Sequence, residues 1–218
     1  MDTTKIENAI ERLEKNLPIR HNQSRLPPAF RKFHQSILHY YLEHGKAPVA
    51  SDFDSAQDWG SAVKRLAAEH IIVLDDSGNI IGAYPFVTEA RNFSVVTEFG
   101  PVNAMCAFDA LAISSMFGLP ARILSRCHVS DRKIAIAQNG DDINVIEPQE
   151  PVFSGINWAA AAGASSCSAT LCCEMIFIVG EDNAASWQSK SSEHRELFDL
   201  NEAHAFISAV FVPMMSEN

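Results

Sequence analysis

Basic side chains are scarce in this sequence. Lys and Arg together number 17 against 27 Asp and Glu, which gives a net charge of −10 at pH 7. A protein that binds nucleic acid needs Lys and Arg clustered against the phosphates, so this balance argues against nucleic acid as a partner. The same balance argues against an anionic membrane surface. With 218 residues, 47% of them hydrophobic, the chain is long enough for one large or two small domains with a core.

Long apolar runs are also missing. Charges at positions 2, 5 and 7 with no apolar segment after them are not typical of a signal peptide, so we expect a cytoplasmic protein. Residues 154–180 carry a single charge, Glu174, but they are rich in Ala, Ser and Gly. Their strongly apolar part is only residues 175–179, whereas a membrane span needs about 20 apolar residues. We therefore expect no membrane span.

Paired cysteine motifs are absent as well. The cysteines are Cys106, Cys127, Cys167, Cys172 and Cys173, and no CxxC pair occurs among them. Their spacing matches no zinc finger or ribbon, and thiols in the cytoplasm are normally reduced. Any of them could simply be a small buried apolar residue, which is the commonest role of an isolated free cysteine.

The first 85 residues predict helices followed by a β-hairpin. Residues 1–24 predict an amphipathic helix, stopped by Pro18, and a polar link. Pro27 and Pro28 open a second helix, a short helix follows near residue 50, and another begins at Ser55 or Asp58. Residues 71–74 and 80–84 predict the two strands of the hairpin. This order over residues 25–85 is that of a winged helix. Its helix over residues 56–70 balances acids and bases, which favours a structural or partner-binding role over DNA binding.

Residues 86–218 predict an α+β domain with a mixed sheet. The predicted strands cover residues 93–97, 121–128, 133–137, 143–146 and 171–179. A helix capped by Asn103 is expected to end at Gly118. Two further helices are expected to begin near Ser186 or Trp187 and near Asn201 or Glu202.

A thiol and a carboxylate lie three residues apart in the predicted helix after Asn103. Cys106 and Asp109 would share a helix face. In the first turn, the free amides and the helix dipole favour a thiolate at Cys106. Asp109 has apolar neighbours, and a buried carboxyl group beside a thiolate tends to keep its proton, which it can then donate. The alternative is that Asp109 is an ordinary solvated helix residue.

The adjacent pair Cys172 and Cys173 offers a second thiol. In a strand these two side chains point to opposite faces, so only one of them can meet Cys106. Cys173 would share its face with Leu171 and Met175 in the core, which makes Cys172 the candidate. Two thiols beside an acid select for soft metal ions. A cysteine protease would need a paired histidine, and neither His128 nor His204 lies in a recognisable arrangement.

These motifs together resemble the organomercurial (alkylmercury) lyase family. The matching features are Cys106-Ala-Phe-Asp109-Ala-Leu, a lone Cys127, and Cys172-Cys173 before an apolar strand, within a resemblance that runs from about residue 33 to 211 and includes residues 78–82 and Trp187. The resemblance implies a winged-helix-like N-terminal domain and a catalytic α+β domain. It also implies that Cys106 and Cys172 bind the mercury of R–Hg⁺ while Asp109 delivers a proton to the departing carbon.

The family further implies that no organic cofactor is used. Hg²⁺ would leave to small cellular thiols or to mercuric reductase, with Cys127 structural and Cys173 secondary. Three features depart from the family pattern: Met105 stands where an aromatic residue is common, and neither residues 159–163 nor Cys167 can be placed on that pattern. Two other functions stay open: a soft-metal-binding protein or metallochaperone without turnover, and a metal-responsive winged-helix regulator, against which the acidic balance counts.

Overall fold

The computed structural model describes residues 2–53, 58–161 and 170–216. The described helices are α1 (Thr3–Asn16), α2 (Ile19–Ser24), α3 (Pro28–His44), α4 (Trp59–Ala68), α5 (Ala107–Phe117), α6 (Glu181–Ser189) and α7 (Leu200–Phe211). The described strands are β1 (Ile72–Leu74), β2 (Ile80–Ala83), β3 (Phe86–Val87), β4 (Phe93–Thr97), β5 (Gly100–Asn103), β6 (Pro120–Arg126), β7 (Lys133–Asn139), β8 (Asp142–Glu147), β9 (Val152–Asn157), β10 (Met175–Val179) and β11 (Arg195–Asp199).

The N-terminal helices begin and end where the sequence predicts. Pro28 lies in the first turn of α3, and Gly45 ends that helix with φ = 66°, a conformation that favours glycine. Asp58 caps α4 by accepting a hydrogen bond from the backbone N–H of Gly60, while the alternative start at Ser55 lies outside the described residues. The predicted polar link after Pro18 forms the short helix α2.

The β-hairpin of the N-terminal part is also present. β1 and β2 pair antiparallel, and β3 adds a third strand to them. The predicted order of helices followed by a hairpin is therefore correct, with a 3₁₀ turn at Ala50–Asp52 in place of the short helix. The division of the chain into residues 1–24, 25–85 and 86–218 stays a prediction, as does the winged-helix assignment.

The remaining strands form two sheets. One has the order β5-β4-β6-β7-β8, and the other has the order β10-β9-β11. The α+β class is confirmed, although every pair among the described strands is antiparallel where a mixed sheet was expected. The apolar residues of both sheets join one continuous core with the N-terminal helices.

Helix α5 lies at the centre of this core. It packs against α7, against β10 and against the strands β4 and β6 of the larger sheet. Nearly every residue from Ala107 to Met116 is buried, so this helix has no polar face. A polar side chain on α5 therefore faces protein on all sides, which sets the chemistry at both of its ends.

Three predicted boundaries were wrong. Asn103 does not cap α5, because it ends β5, which folds back on β4 through a tight turn at residues 98–99. Residues 171–174 form a 3₁₀ turn, so the strand begins only at Met175. Helix α6 begins at Glu181, five residues before Ser186. Strands β3, β5, β9 and β11 were not predicted at all. In the described part of the chain, none of the helices combines the length and apolarity that crossing a bilayer requires.

Candidate active site

The structure brings together the three residues that the sequence singles out. The sulfurs of Cys106 and Cys172 and a carboxylate oxygen of Asp109 all lie within 4.8 Å of one another. Relative exposures of 1%, 3% and 3% show that Cys106, Asp109 and Cys172 are almost completely withdrawn from water. Two soft ligands and one acid therefore share a single small volume, a donor set that suits a soft ion.

Cys106 is the N-cap of α5. Its sulfur accepts a hydrogen bond from the backbone N–H of Asp109 at 3.4 Å, and its carbonyl accepts one from Ala110 at 3.0 Å. A cap is normally Ser, Thr, Asp or Asn, because an oxygen accepts this hydrogen bond better than a thiol sulfur does. The sulfur in this position is a weaker cap, but it leaves a soft ligand at the helix terminus.

Burial determines the protonation state of Cys106. Desolvation raises the pKa of the Cys106 thiol to about 12; the Asp109 charge adds to the rise, and a hydrogen bond with Cys172 opposes it. The expectation that the helix N-terminus makes Cys106 a thiolate is wrong for the free protein. A helix terminus contributes a modest stabilisation of negative charge, whereas full burial of an unpaired charge costs more.

Asp109 behaves as the sequence predicts. Burial raises the pKa of its carboxyl group to about 7, while a hydrogen bond with Cys106 and the positive charge of Arg91 oppose the rise. Its Oδ2 atom is buried and has no hydrogen-bond partner among the described residues. Buried polar atoms are nearly always paired, so an orphaned carboxyl oxygen beside two thiols points to a functional group.

Cys172 and Cys173 lie on the 3₁₀ turn Leu171–Glu174, so the strand argument for choosing between them does not apply. Cys172 is nevertheless the buried member of the pair, and Cys173 is exposed instead of packing in the core. Immediately after the turn, Met175 begins β10, and its sulfur lies 3.9 Å from that of Cys106. The turn thus places Cys172 three residues before the start of β10, every residue of which is buried.

Arg91 also belongs to this region, although sequence reasoning did not identify it. It lies in the loop between β3 and β4, where it donates a hydrogen bond to the carbonyl of Met105 at 3.1 Å and pairs with Glu89 at 2.6 Å. Its charge acts on Asp109 and on Cys172. A lone arginine in a polar loop resembles any solvated residue, so no pattern in the sequence distinguishes it.

The other candidate residues lie elsewhere. The sulfur of Cys127 accepts hydrogen bonds from the backbone N–H groups of Val179 and Ser130, at 3.2 and 3.4 Å, and so ties the β6–β7 turn to β10. These contacts agree with the structural role expected of it. Cys167, which departs from the family pattern, lies outside the described residues. His204 bonds to two serine hydroxyls, and it is not part of the Cys106 cluster.

Comparison with known proteins points to one family. A family model described as MerB, alkylmercury lyase, matches residues 86–212, which is more than half of the chain. An alkylmercury lyase from Pseudomonas putida is 29% identical over 115 residues, which cover 53% of this chain and 52% of that protein. The match thus spans about half the length of this curated relative.

A solved structure shares the whole fold. It is described as the crystal structure of the mercury-bound form of MerB2, and it superimposes with a TM-score of 0.70. The superposition covers 98% of this chain and 100% of the other at 17% sequence identity. At that identity the likeness establishes the fold, including the N-terminal part that precedes the matched residues 86–212.

Proposed function

The chain belongs to the alkylmercury lyase family, and we propose that it cleaves the carbon–mercury bond of organomercurials by protonolysis, giving a hydrocarbon and Hg(II). The observation that carries this proposal is the convergence within 4.8 Å of two buried thiols and a buried acid whose Oδ2 has no hydrogen-bond partner among the described residues. Two thiols alone would suffice to hold mercury. The acid beside them supplies what bond cleavage needs in addition, a proton close to the carbon that leaves.

Mercury binds first, through the sulfurs of Cys106 and Cys172. Thiolates are the ligands that soft ions prefer, so each thiol loses its proton as its sulfur–mercury bond forms, and the proton of Cys172 passes to water. The Cys106 proton has a nearby acceptor, because the pKa of Asp109 is about 7 and its carboxylate form is accessible at neutral pH. Asp109 then holds this proton beside the bound R–Hg group.

The carbon–mercury bond breaks in the next step. Its electron pair stays with the carbon, which takes the proton from Asp109, so R–H departs and the carboxylate is left behind. The two sulfur–mercury bonds keep Hg(II) in the site. Electron donation from two thiolates weakens the bond to carbon, and a positioned acid avoids a free carbanion, as in general acid catalysis.

Product release completes the cycle. External thiols exchange with Cys106 and Cys172 for the mercury, each thiol proton passing to a protein sulfur, which restores both protein thiols and leaves Asp109 as the carboxylate that begins the next cycle. No organic cofactor takes part, since the protein groups supply the ligands and the proton. Small thiols, or mercuric reductase, are the acceptors of Hg(II) in this proposal.

The experiment is a measurement of hydrocarbon release from a phenyl- or methylmercury salt in excess small thiol. We expect release with the wild-type protein and none above background with Cys106→Ser or Cys172→Ser. Cys173→Ser is the matched control, because this exposed neighbour of Cys172 lies outside the cluster. Equal release by wild type and Cys106→Ser would rule out the proposed mechanism.

A protein that binds soft metal ions without turnover is the second candidate, because the same two thiols would serve it. Tight Hg(II) binding with no hydrocarbon release would select this alternative. The partnerless Oδ2 of Asp109 favours the lyase, since a pure metal site gains nothing from an acid whose second oxygen is left without a bond.

A further inference from the structure

The guanidinium of Arg91 is held by two neighbouring residues. Its Nη1 atom donates to the carbonyl of Met105 at 3.1 Å, while Nε and Nη2 lie 2.7 and 2.6 Å from one carboxylate oxygen of Glu89. The side chain of Arg91 is 20% exposed, whereas that of Glu89 is 65% exposed. An ion pair that is open to water adds little stability, so the pair with Glu89 mainly orients the guanidinium toward Met105. The proposed reaction uses neither side chain.

The bond to Met105 acts on Cys106 through the backbone. The carbonyl of Met105 and the N–H of Cys106 belong to one planar peptide unit, so fixing the carbonyl fixes the orientation of the whole unit. The N–H of Met105 donates to the carbonyl of Pro85 at 3.0 Å, which holds the preceding peptide unit as well. Cys106 follows in an extended conformation, with φ = −154°. The sulfur of Cys106 therefore projects from a backbone that is restrained on its N-terminal side.

The helix cap alone is a weak restraint on the Cys106 sulfur. The sulfur accepts the N–H of Asp109 at 3.4 Å, and a thiol sulfur is a weak acceptor. Mercury needs the sulfurs of Cys106 and Cys172 together, and these two residues come from distant parts of the chain. A rotation of the Cys106 backbone would change the distance between the two sulfurs. The hydrogen bond from Arg91 opposes such a rotation.

The charge of Arg91 also suits a site in which thiolates form. Burial alone would lower the pKa of Arg91, but the hydrogen bond and the charge of Glu89 raise it above its ordinary value. The negative charges of Cys173 and Cys172 in their thiolate form raise it further. This attraction acts on both partners, so Arg91 favours the thiolate form of Cys172 by the same interaction. Mercury binding removes the protons of two buried thiols, and a nearby cation reduces the cost of that step.

We propose that Arg91 is a positioning residue of the mercury site. It holds the peptide unit between Met105 and Cys106, and so keeps the Cys106 sulfur where it can bind mercury together with Cys172. The inference rests on the proposed function, since it adds a residue to the same site. Arg91 does not touch the mercury itself but acts through the ligand, as the outer hydrogen-bond partners of metal ligands generally do.

The test measures Hg(II) affinity, in competition with a small thiol, for variants of Arg91. Arg91→Met removes the charge and the donors, and we expect it to weaken binding by about 10- to 100-fold, the usual effect of losing such a partner. Arg91→Lys keeps the charge but replaces the planar fork with a single ammonium group, so its loss should be smaller. Arg126→Met is the matched control, because Arg126 also bonds to a carbonyl and to a carboxylate oxygen, both of Asp131. The control should bind Hg(II) as the wild type does.

Steady-state kinetics distinguishes positioning from a general loss of folded protein. Partial unfolding of Arg91→Met would lower the apparent kcat and leave KM unchanged, whereas a displaced ligand weakens binding and raises KM for the mercurial. We expect KM to rise in Arg91→Met and to rise less in Arg91→Lys. Arg91→Gln takes the place of Arg91→Met if the methionine variant does not fold. Hg(II) affinity and KM equal to those of the wild type in the neutral variant and in Arg91→Lys would overturn the inference.

Failure of this inference can be told apart from failure of the proposed function, because Hg(II) binding requires no cleavage of a carbon–mercury bond. If the wild-type protein binds Hg(II) but releases no hydrocarbon, the proposed function fails, while the affinities of the Arg91 variants still decide the role of Arg91. If the wild-type protein releases hydrocarbon and the Arg91 variants match it in Hg(II) affinity and KM, the inference alone fails.

Discussion

The two ends of α5 hold buried polar groups in opposite ways. At the N-terminal end, the sulfur of Cys106 accepts one amide hydrogen bond, and Oδ2 of Asp109 has no partner among the described residues. At the C-terminal end, the hydroxyl of Ser114 donates to the carbonyl of Leu119 at 2.7 Å and accepts from the N–H of Gly140 at 2.9 Å. Ser114 is fully buried, yet both of its bonding roles are filled.

The difference separates stability from function. A satisfied buried group costs little and can fix a fold, whereas an unsatisfied one costs free energy that only a function repays. The same helix, with the same apolar surroundings, carries one group of each kind. We therefore expect substitutions at the N-terminal end to change chemistry and those at the C-terminal end to change stability alone.

The largest effect is expected from Asp109→Asn. Asparagine has the same shape but no acidic proton, so hydrocarbon release should fall by a factor of about 10² to 10⁴, the usual contribution of a positioned acid. Hg(II) binding should persist, because both sulfurs remain. Single-turnover release and a mercury titration measure the two properties. Loss of mercury binding in this variant would show that Asp109 serves as a ligand and not as a proton carrier.

The pH dependence of stability gives the next largest effect. The pKa of Asp109 is raised by burial from an ordinary value of 3.8 to about 7, so between these values the folded protein holds a proton that the unfolded chain has lost. Folding stability should therefore fall as the pH rises from about 4 to about 7, by about 4 kcal/mol from this residue. Denaturant unfolding of wild type and Asp109→Asn, at each pH, measures this contribution.

Another buried group, His34, titrates in an overlapping range with the opposite sign. Burial lowers the pKa of His34 to about 4, so the unfolded chain binds the extra proton and stability rises with pH up to about 6.5. His34 is present in both proteins and cancels in their difference. A difference between wild type and Asp109→Asn that does not change with pH would mean that Asp109 is ionised in the folded protein.

Some residues of the site can be identified from the sequence, whereas others depend on contacts that the sequence does not show. Cys106 and Asp109 were predictable as a pair because a helix N-cap and the third residue after it lie side by side, joined here by the hydrogen bond from the Asp109 N–H to the Cys106 sulfur. Cys172 was chosen over Cys173 because residues 171–174 were expected to form a strand, but they form a 3₁₀ turn. The apolar residues around Cys172 do not distinguish a buried turn from a buried strand. Asn103 was mistaken for the cap because asparagine is a common cap and cysteine is not. Arg91 was missed because its partners are set by tertiary contacts alone.

At the C-terminal end, Ser114→Ala should affect stability and leave chemistry unchanged. The substitution leaves the N–H of Gly140 and the carbonyl of Leu119 without their hydroxyl partner, at a cost of about 1 to 3 kcal/mol. The free energy of unfolding measures this loss. The matched control is Ser36→Ala, whose hydroxyl bonds to a carbonyl on the exposed face of α3 and should change stability by no more than about 0.5 kcal/mol. A fall in kcat per folded Ser114→Ala molecule would contradict the separation.

The smallest effect is expected from the pair Ser115 and Ser208. Their hydroxyls lie 2.7 and 2.9 Å from the same atom, Nε2 of His204. Burial lowers the pKa of His204, while Asp141 opposes the shift, so the ring is neutral at pH 7. The Nε2 atom of a neutral imidazole makes one strong hydrogen bond, so either serine can replace the other.

Each single alanine substitution at these serines should therefore cost only about 0.5 kcal/mol, while the double substitution leaves Nε2 of His204 buried without a hydroxyl and costs about 1 to 3 kcal/mol. A double-mutant cycle on the free energy of unfolding measures this coupling, and additive costs would contradict it.

The two thiols at the other end of α5 behave differently, because mercury needs both sulfurs at once and the loss of either should remove the activity. Ser115 and Ser208 can replace each other as hydrogen-bond partners of His204, so together they stabilise the fold. Cys106 and Cys172 are both required for mercury, so together they form a binding site.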